Sequence, residues 1–224
     1  MPQEVYQSTP YNKEMMLKKS VAFLDLMKRR RSVRAFSEKS VPRKVIENCI
    51  AAAGRSPSGA NQQPWHFVAI SDSNTKHQIR LAAEECERAF YDYRAGAAWK
   101  QALAPLGTNA HKPFLEKAPW LIAVFAVKYG INPKHKYYYV QESVGIATGI
   151  LVTALHYCGL AILTYTPSPM KFLQRLLKRP PNEKPFLLLV TGYPADDISV
   201  PQITQKPLEE ISTIIACKQY NHFK

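Results

Sequence analysis

A run of basic and hydroxyl side chains near residue 30 is the first candidate for binding chemistry. Arg30, Arg31, Ser32 and Arg34 are interrupted only by Val33. Guanidinium groups pair bidentately with phosphate, and a serine hydroxyl adds a further donor. On an extended segment alternate side chains point the same way, so Arg30, Ser32 and Arg34 could converge on one anion. Taken alone, the run is more typical of a solvated basic helix end.

A second cluster is the short loop formed by Pro57, Ser58, Gly59 and Ala60. A serine–glycine pair lets backbone N–H groups approach a ligand closely, because glycine has no side chain in the way. An ordinary loop before a strand is the alternative, and the loop alone is a weak signal.

Glu87, Tyr91 and Lys112 form a third candidate set. Glu87 and Tyr91 are four residues apart and share one face of a helix. A zwitterionic amino acid needs an anion for its ammonium and a cation for its carboxylate, which Glu87 and Lys112 could supply. Tyr91 would add a hydrogen bond and an aromatic face. Ordinary surface ion pairs are the alternative.

The composition bounds the function classes. The chain has 224 residues, and 30 Lys+Arg against 17 Asp+Glu give a formal charge of +13, which favours an anionic partner. No nucleic-acid motif accompanies the charge, so we do not expect nucleic acid as that partner. The four cysteines are not spaced as a metal site or a redox pair, so we predict reduced thiols, a cytoplasmic location and no metal. No apolar stretch reaches the roughly 20 residues that span a bilayer, so we expect no membrane segment.

Hydrophobic periodicity predicts a single domain over residues 1–224 with irregularly alternating helices and strands, an α+β sheet flanked by helices. We predict that residues 94–117 form a mobile active-site lid and that residues 200–224 form an arm that leaves the core. The predicted helices are 16–27, 42–53, 74–93, 137–158 and 171–178, and the predicted strands are 65–70, 119–128, 160–166 and 186–191. The helix over 137–158 is apolar on nearly every side, which indicates a core helix that also forms a dimer interface.

Taken together, the first two clusters resemble the FMN-binding start of the nitroreductase superfamily. RRSVR, a following VP with a short helix, and then AAGRSPSGANQQPWHF match that start in order and spacing. The likeness continues over residues 138–167 and at Gly192-Tyr193-Pro194, and it is greatest to the iodotyrosine deiodinases. It covers nearly the whole chain after about residue 20.

The resemblance implies a nitroreductase-like sheet in an intertwined homodimer, with a swapped terminal arm and two FMN molecules at the subunit interface. Two sets of residues are then expected to bind the cofactor, and Thr166 would hydrogen-bond flavin N5 and favour one-electron steps. The first set holds the phosphate and the ring edge, and the second lies along the flavin ring. The first set is Arg30, Arg31, Ser32 and Arg34, and the second is Pro57, Ser58 and Gly59. The turn formed by Thr164, Tyr165 and Thr166 is expected to contact the flavin as well.

For the substrate, the resemblance implies that Glu87, Tyr91 and Lys112 clamp a halotyrosine over the flavin, while the Ala60 N–H binds its phenolate. The predicted function is FMN-dependent reductive dehalogenation of halotyrosines, with Thr166 and Ala60 next to the chemistry. A general FMN-dependent nitroreductase or quinone reductase is the alternative, and a basic binding protein without turnover is a third hypothesis. In the absence of a GxGxxG fingerprint, the electron donor would be NAD(P)H acting at the flavin, or a partner reductase.

Two positions depart from the family pattern. Gln205 stands where an arginine usually reaches the FMN phosphate, so Lys206 or the first arginine cluster would have to compensate. Tyr165 replaces a threonine in the middle of the flavin turn.

Overall fold

The centre of the fold is a sheet of four antiparallel strands in the order β1-β2-β4-β3. The computed structural model describes residues 4–96, 101 and 108–215. β2 lies in the middle of the sheet because its residues 121–126 form a continuous apolar run, all of it buried. The strands are β1 Trp65–Ile70, β2 Trp120–Val127, β3 Ala161–Tyr165 and β4 Glu183–Gly192.

Helices connect and cover these strands, and two of the helices begin directly after a residue whose side chain caps them. The Asn12 side chain accepts a hydrogen bond from the Met15 N–H, and the Asp72 side chain accepts one from the Thr75 N–H. The α-helices are α1 Lys13–Lys28, α2 Arg43–Ala53, α3 Ser73–Ala89, α4 Phe114–Lys117, α5 Val140–Tyr157, α6 Lys171–Leu176 and α7 Leu208–Ile211.

The two faces of the sheet pack against different helical layers. On one face Phe125 of β2 lies in a cluster with Ile79 of α3. On the other face Ile122, three residues earlier in β2, packs with Ile46 of α2 and Leu151 of α5. Residues of opposite parity in a strand point to opposite faces, so one central strand holds both layers together. The predicted α+β class, a central sheet flanked by helices, is confirmed.

The structure differs from the predicted elements most at the end of α3. One helix was expected over 74–93, but α3 ends at Ala89 and a π-helical segment, Phe90–Arg94, continues it. A π turn inserts residues into the helical repeat and is common at functional sites. Hydrophobic periodicity does not detect such a change of phase.

The expected lid and arm lie only partly within the described residues. Residues 97–100 and 102–107 of the lid, and 216–224 of the arm, fall outside them. The last part of the expected lid forms α4, whose Leu115 is completely buried in the core. In the arm, residues 202–215 are exposed and contain only the short helix α7.

Large apolar side chains are exposed on α1 and α5. None of the α1 residues is buried, and Leu17, Phe23 and Leu24 are each more than half exposed. Ile146 is exposed on α5. Exposed apolar surface of this extent is typical of an interaction site.

Gly192 at the end of β4 is expected to tolerate no side chain. A Cβ placed there would overlap with the ring of Pro119, which cannot swing away. We expect Gly192→Ala to lower the free energy of unfolding by about 1–3 kcal/mol, the usual cost of overpacking, as measured by urea denaturation. The control is Gly54→Ala, because Gly54 has a helical φ of -65° and its Cβ would lie 3.4 Å from the nearest atom. Equal stability of Gly192→Ala and wild type would contradict the packing described.

Candidate active site

A cavity of about 650 Å³ lies between the end of α3, the segment that leads into α4, and the end of β3. It brings together the three residues of the expected substrate clamp, the three residues of the expected flavin turn and one of the cluster arginines. These are Glu87, Tyr91 and Lys112, Thr164, Tyr165 and Thr166, and Arg34.

Glu87 and Lys112 form an ion pair inside this cavity. The Lys112 Nζ lies 3.3 Å from the Glu87 Oε2, and the two side chains are only 7% and 14% exposed. The same Nζ donates a hydrogen bond to the carbonyl of Asn109. Removing two charges from water is costly unless each is paired and hydrogen-bonded. The contact therefore places an anion and a cation side by side where a ligand carrying both charges could reach them.

Tyr91 stands beside the pair on the π-helical segment. Its hydroxyl lies 2.8 Å from the Thr108 Oγ1, and the Lys112 Nζ lies 5.9 Å from the centre of its ring. Such a distance is at the outer range of a cation–π contact. Glu87 and Tyr91 both line the cavity, as their predicted common face requires, although Tyr91 lies within the π-helical segment.

Glu84, one turn before Glu87 on α3, ties the Lys112 segment to that helix. Its Oε1 accepts the backbone N–H of Lys112 at 2.7 Å and the Nε of Arg80 at 2.8 Å. The Nδ1 of His111 lies 3.1 Å from the same oxygen. The sequence reasoning missed Glu84, and its i,i+3 spacing from Glu87 was the only signal for it.

The protonation of Glu84 is set by these contacts. Burial opposes its ionisation, but the hydrogen bonds from Arg80 and from the Lys112 N–H outweigh burial. They hold the pKa of Glu84 below its ordinary value of 4.5. A carboxyl with a lowered folded-state pKa stabilises the fold above its unfolded-state value, and this contribution is lost as the pH falls through the folded-state pKa.

We therefore expect Glu84→Gln to be less stable than wild type near neutral pH. The difference in free energy of unfolding should shrink as the pH falls below 4.5. Urea denaturation over a series of pH values measures this difference. Glu85→Gln, at an exposed neighbour on the same helix, controls for the loss of a charge. A difference that does not change with pH would show that the Glu84 charge does not fix the segment.

The turn at the end of β3 presents its side chains in two directions. Thr164 and Thr166 are exposed, whereas Tyr165 between them is 8% exposed. The Tyr165 hydroxyl donates a hydrogen bond to the Glu87 Oε1 at 3.0 Å. The two threonine hydroxyls are available to a bound molecule, while the middle side chain points toward the clamp.

The basic cluster runs along the edge of β3 and is divided between two cavities. Ser32 pairs with Ile162 of β3, and Arg34 lines the main cavity. Arg30 and Arg31 line a second cavity of about 330 Å³, and the Arg31 guanidinium donates to the carbonyl of Pro201. Within one chain the cluster is therefore spread along a strand edge and does not surround a single point.

The loop of Pro57, Ser58, Gly59 and Ala60 lies elsewhere. None of these residues lines the main cavity. A Cβ on Gly59 would approach the Tyr138 ring to 2.9 Å, so the loop is packed at the start of α5. Ala60 has a φ of 47°, and both it and Pro57 are exposed. One chain brings the clamp and the threonine turn together, but not the loop.

The described part of the chain has neither a metal-binding cluster nor a membrane-spanning helix. Among residues 4–96, 101 and 108–215, no group of three or more His, Cys, Asp or Glu side chains is arranged to hold a metal ion. The helices in this part are too short or too polar to cross a membrane.

The family model of the nitroreductase family matches residues 27–193, which include both walls of the main cavity. This chain belongs to the nitroreductase family. Within the nitroreductase family it is similar to iodotyrosine deiodinase from Haliscomenobacter hydrossis, with 50% identity over 90% of this chain and 92% of that protein. Iodotyrosine deiodinase 1 from Homo sapiens is 43% identical over 92% of this chain and 72% of that protein.

Solved structures of the nitroreductase family agree with this fold. A crystal structure of oxidised iodotyrosine deiodinase bound to FMN and 3-iodo-L-tyrosine superposes with a TM-score of 0.72. It is 32% identical and covers 90% of this chain and 100% of that chain. The FMN-dependent nitroreductase NfnB from Mycobacterium smegmatis, in complex with NADPH, has a TM-score of 0.69 at 20% identity, over 88% of this chain and 100% of that chain. The second likeness supports the fold alone, and the predicted family is confirmed.

Proposed function

We propose that this chain is an FMN-dependent oxidoreductase that removes iodide reductively from iodotyrosine. The observation that carries the proposal is the largely buried Glu87–Lys112 pair, with Tyr91 beside it, in the cavity that Thr164 and Thr166 also line. Iodotyrosine deiodinases at 41–50% identity, and a solved relative bound to FMN and 3-iodo-L-tyrosine, support it.

The residues around the main cavity suit FMN. Arg34 supplies a cation, and the exposed hydroxyls of Thr164 and Thr166 are donors and acceptors for polar ring atoms. Arg30 and Arg31, farther along the same edge, offer bidentate donors for a phosphate. When bound, FMN supplies the electrons for the reduction, while the protein provides binding and orientation.

The clamp suits a zwitterion because a zwitterion can pair with both largely buried charges of the clamp, those of Glu87 and Lys112. In the structure Glu87 and Lys112 neutralise each other at 3.3 Å. An amino acid entering between them replaces Lys112 as the partner of Glu87 through its ammonium. Its carboxylate replaces Glu87 as the partner of Lys112. Neither buried charge is left unpaired, which keeps the desolvation cost low.

The phenol end of the substrate is expected to bind to the loop of residues 57–60, and within one chain this loop does not reach the cavity. We propose that a second copy of this chain supplies the Ala60 N–H, in a homodimer built on the exposed apolar faces of α1 and α5 and on the described part of the arm, residues 200–215. Gln205 in that arm carries no charge, so the proposed phosphate contacts rest on the arginines of the first cluster or on Lys206.

The chemistry is a two-electron reduction of a carbon–iodine bond. A substrate oxygen held as phenolate raises the electron density on the ring carbon that carries iodine. That carbon gains one proton and two electrons, the carbon–iodine bond breaks, and tyrosine and iodide are the products. The protein's part is to hold the phenolate and the zwitterion in one orientation and to exclude water.

We further propose that NAD(P)H or a reductase supplies the electrons and that the protein works in the cytoplasm. The cytoplasmic location is supported by Cys49, Cys86 and Cys158, which are free thiols. The alternative on the same fold is a general nitroreductase or quinone reductase.

A fluorescence titration separates the two functions. The FMN-loaded protein is titrated with 3-iodo-L-tyrosine, with tyrosine and with a nitroaromatic, and flavin fluorescence is recorded. Saturable quenching by 3-iodo-L-tyrosine is the expected result. A parallel sample of the protein is reduced and mixed with the nitroaromatic. If iodotyrosine leaves the flavin fluorescence unchanged while the nitroaromatic rapidly oxidises the reduced sample, the chain is a general nitroreductase.

A further inference from the structure

Tyr165 has a partner that its place in the flavin turn does not explain. It lies between Thr164 and Thr166, yet its hydroxyl donates to the Glu87 Oε1 at 3.0 Å on the opposite wall of the cavity. The two residues are separated by 78 positions in the sequence. The contact connects the end of β3 directly to the clamp.

The packing around Tyr165 leaves its ring little freedom. Its ring meets the Phe114 ring edge to face, with centroids 5.7 Å apart, and Phe114 is buried at the start of α4. The Lys112 Nζ lies 5.8 Å from the Tyr165 ring centre. Tyr165 therefore contacts one member of the ion pair through its hydroxyl and faces the other with its ring.

The hydroxyl is the donor in this contact, because an ionised carboxylate can only accept a hydrogen bond. Burial, and then the negative charge of Glu87, raise the pKa of Tyr165 well above that of an exposed phenol. The bond to Glu87 is thus a charge-assisted one from a neutral donor to a carboxylate. It occupies Oε1 and leaves Oε2 facing Lys112.

We propose that Tyr165 is a positioning residue that sets the preference of the cavity for ligands carrying an ammonium group. By holding the Glu87 Oε1, it fixes the carboxylate so that Oε2 meets the ammonium of an α-amino acid. The inference rests on the proposed function and deepens it, because it assigns a determinant of substrate class that lies outside the clamp itself.

The test compares two ligands that differ only in the ammonium. These are 3-iodo-L-tyrosine and 3-(4-hydroxy-3-iodophenyl)propionate, which keeps the ring, the iodine and the carboxylate. The dissociation constant of each is measured by equilibrium dialysis with FMN-loaded wild type, Tyr165→Phe and Tyr193→Phe. Tyr165→Phe keeps the ring and removes only the donor. Tyr193→Phe is the matched control, because the Tyr193 ring packs under Lys39, away from the cavity.

We expect Tyr165→Phe to bind 3-iodo-L-tyrosine about tenfold or more weakly, the usual effect of losing a hydrogen bond to a charged group. Its affinity for the propionate should stay within about twofold of wild type. Tyr193→Phe should resemble wild type with both ligands. The ratio of the two dissociation constants is the readout, since a loss of cavity shape would weaken both ligands alike.

An unchanged ratio in Tyr165→Phe would overturn the inference and leave the proposed function intact. Equal weakening of both ligands is one form of this result, and Tyr165 would then serve only the packing of the cavity. A wild-type protein that binds neither ligand would overturn the proposed function, and the inference with it.

Discussion

Lys112→Ala is expected to weaken the binding of 3-iodo-L-tyrosine by about a hundredfold or more. The Lys112 side chain is 7% exposed and is the proposed partner of the substrate carboxylate, so its loss leaves that carboxylate without a cation inside the cavity. Breaking a buried pair from one side costs about 3–5 kcal/mol, and each 1.4 kcal/mol is about a factor of ten. Titration of the FMN-loaded variants by flavin fluorescence measures the loss.

Two further variants separate the roles of the two charges. Glu87→Gln should weaken 3-iodo-L-tyrosine strongly but spare 3-(4-hydroxy-3-iodophenyl)propionate, which has no ammonium. Lys112→Ala should weaken both ligands, because both carry a carboxylate. Lys117→Ala, at an exposed lysine of α4, is the matched control and should behave as wild type. If Lys112→Ala and Lys117→Ala bound the amino acid equally well, Lys112 would have no part in the clamp.

Two inactive variants are expected to restore activity when they are combined in one dimer. Ala60→Trp fills the space beside the loop, and its own chain should accept the bulk because Ala60 is exposed. Lys112→Ala removes the clamp. If the loop of one copy serves the cavity of the other, a mixed dimer contains one site with both parts intact. It should then show about half of the wild-type activity, because a two-fold dimer has two equivalent sites.

The measurement uses the two variants with different affinity tags, co-expressed and purified over both tags, and assays iodide release. Each variant purified alone should fall to no more than about a tenth of the wild-type rate, as a site without one of its binding groups does. Mixed dimers as inactive as both parents would show that the loop and the clamp of one chain serve the same site. Thermal unfolding of each parent controls for misfolding.

Much of the fold follows from local patterns in the sequence. The uninterrupted apolar run in β2 and the periodicity of α2 fix a buried strand and a half-buried helix, and both lie where they were predicted. The common face of Glu87 and Tyr91 followed in the same way from helical spacing. These features depend on residues a few positions apart, which is the range over which sequence patterns are informative.

The features that the sequence did not predict depend on contacts across the fold. Glu84 meets the Lys112 N–H over 28 residues, and Tyr165 meets Glu87 over 78. No periodicity reports which side chains meet at such separations. Tyr165 was assigned to the flavin turn from the family resemblance, while strand alternation turns its side chain away from those of Thr164 and Thr166.

The arrangement of the basic cluster also depends on contacts that the local sequence pattern does not reveal. Alternation along an extended segment predicted that Arg30, Ser32 and Arg34 could converge. In the structure Val33 is buried and its N–H donates to the carbonyl of Ile162, so the segment follows the edge of β3. Arg30 and Arg34 therefore line different cavities of the single chain. The position of a strand edge, which decides this, is a tertiary property.

The most direct test of the deiodinase function is a single turnover without oxygen. The FMN-loaded protein is reduced chemically, mixed with one equivalent of 3-iodo-L-tyrosine, and analysed for iodide and tyrosine. We expect about one iodide and one tyrosine per reduced flavin, since the reduction takes two electrons. Reduced flavin that persists with the iodotyrosine intact, yet is oxidised at once by a nitroaromatic, would contradict the proposed function.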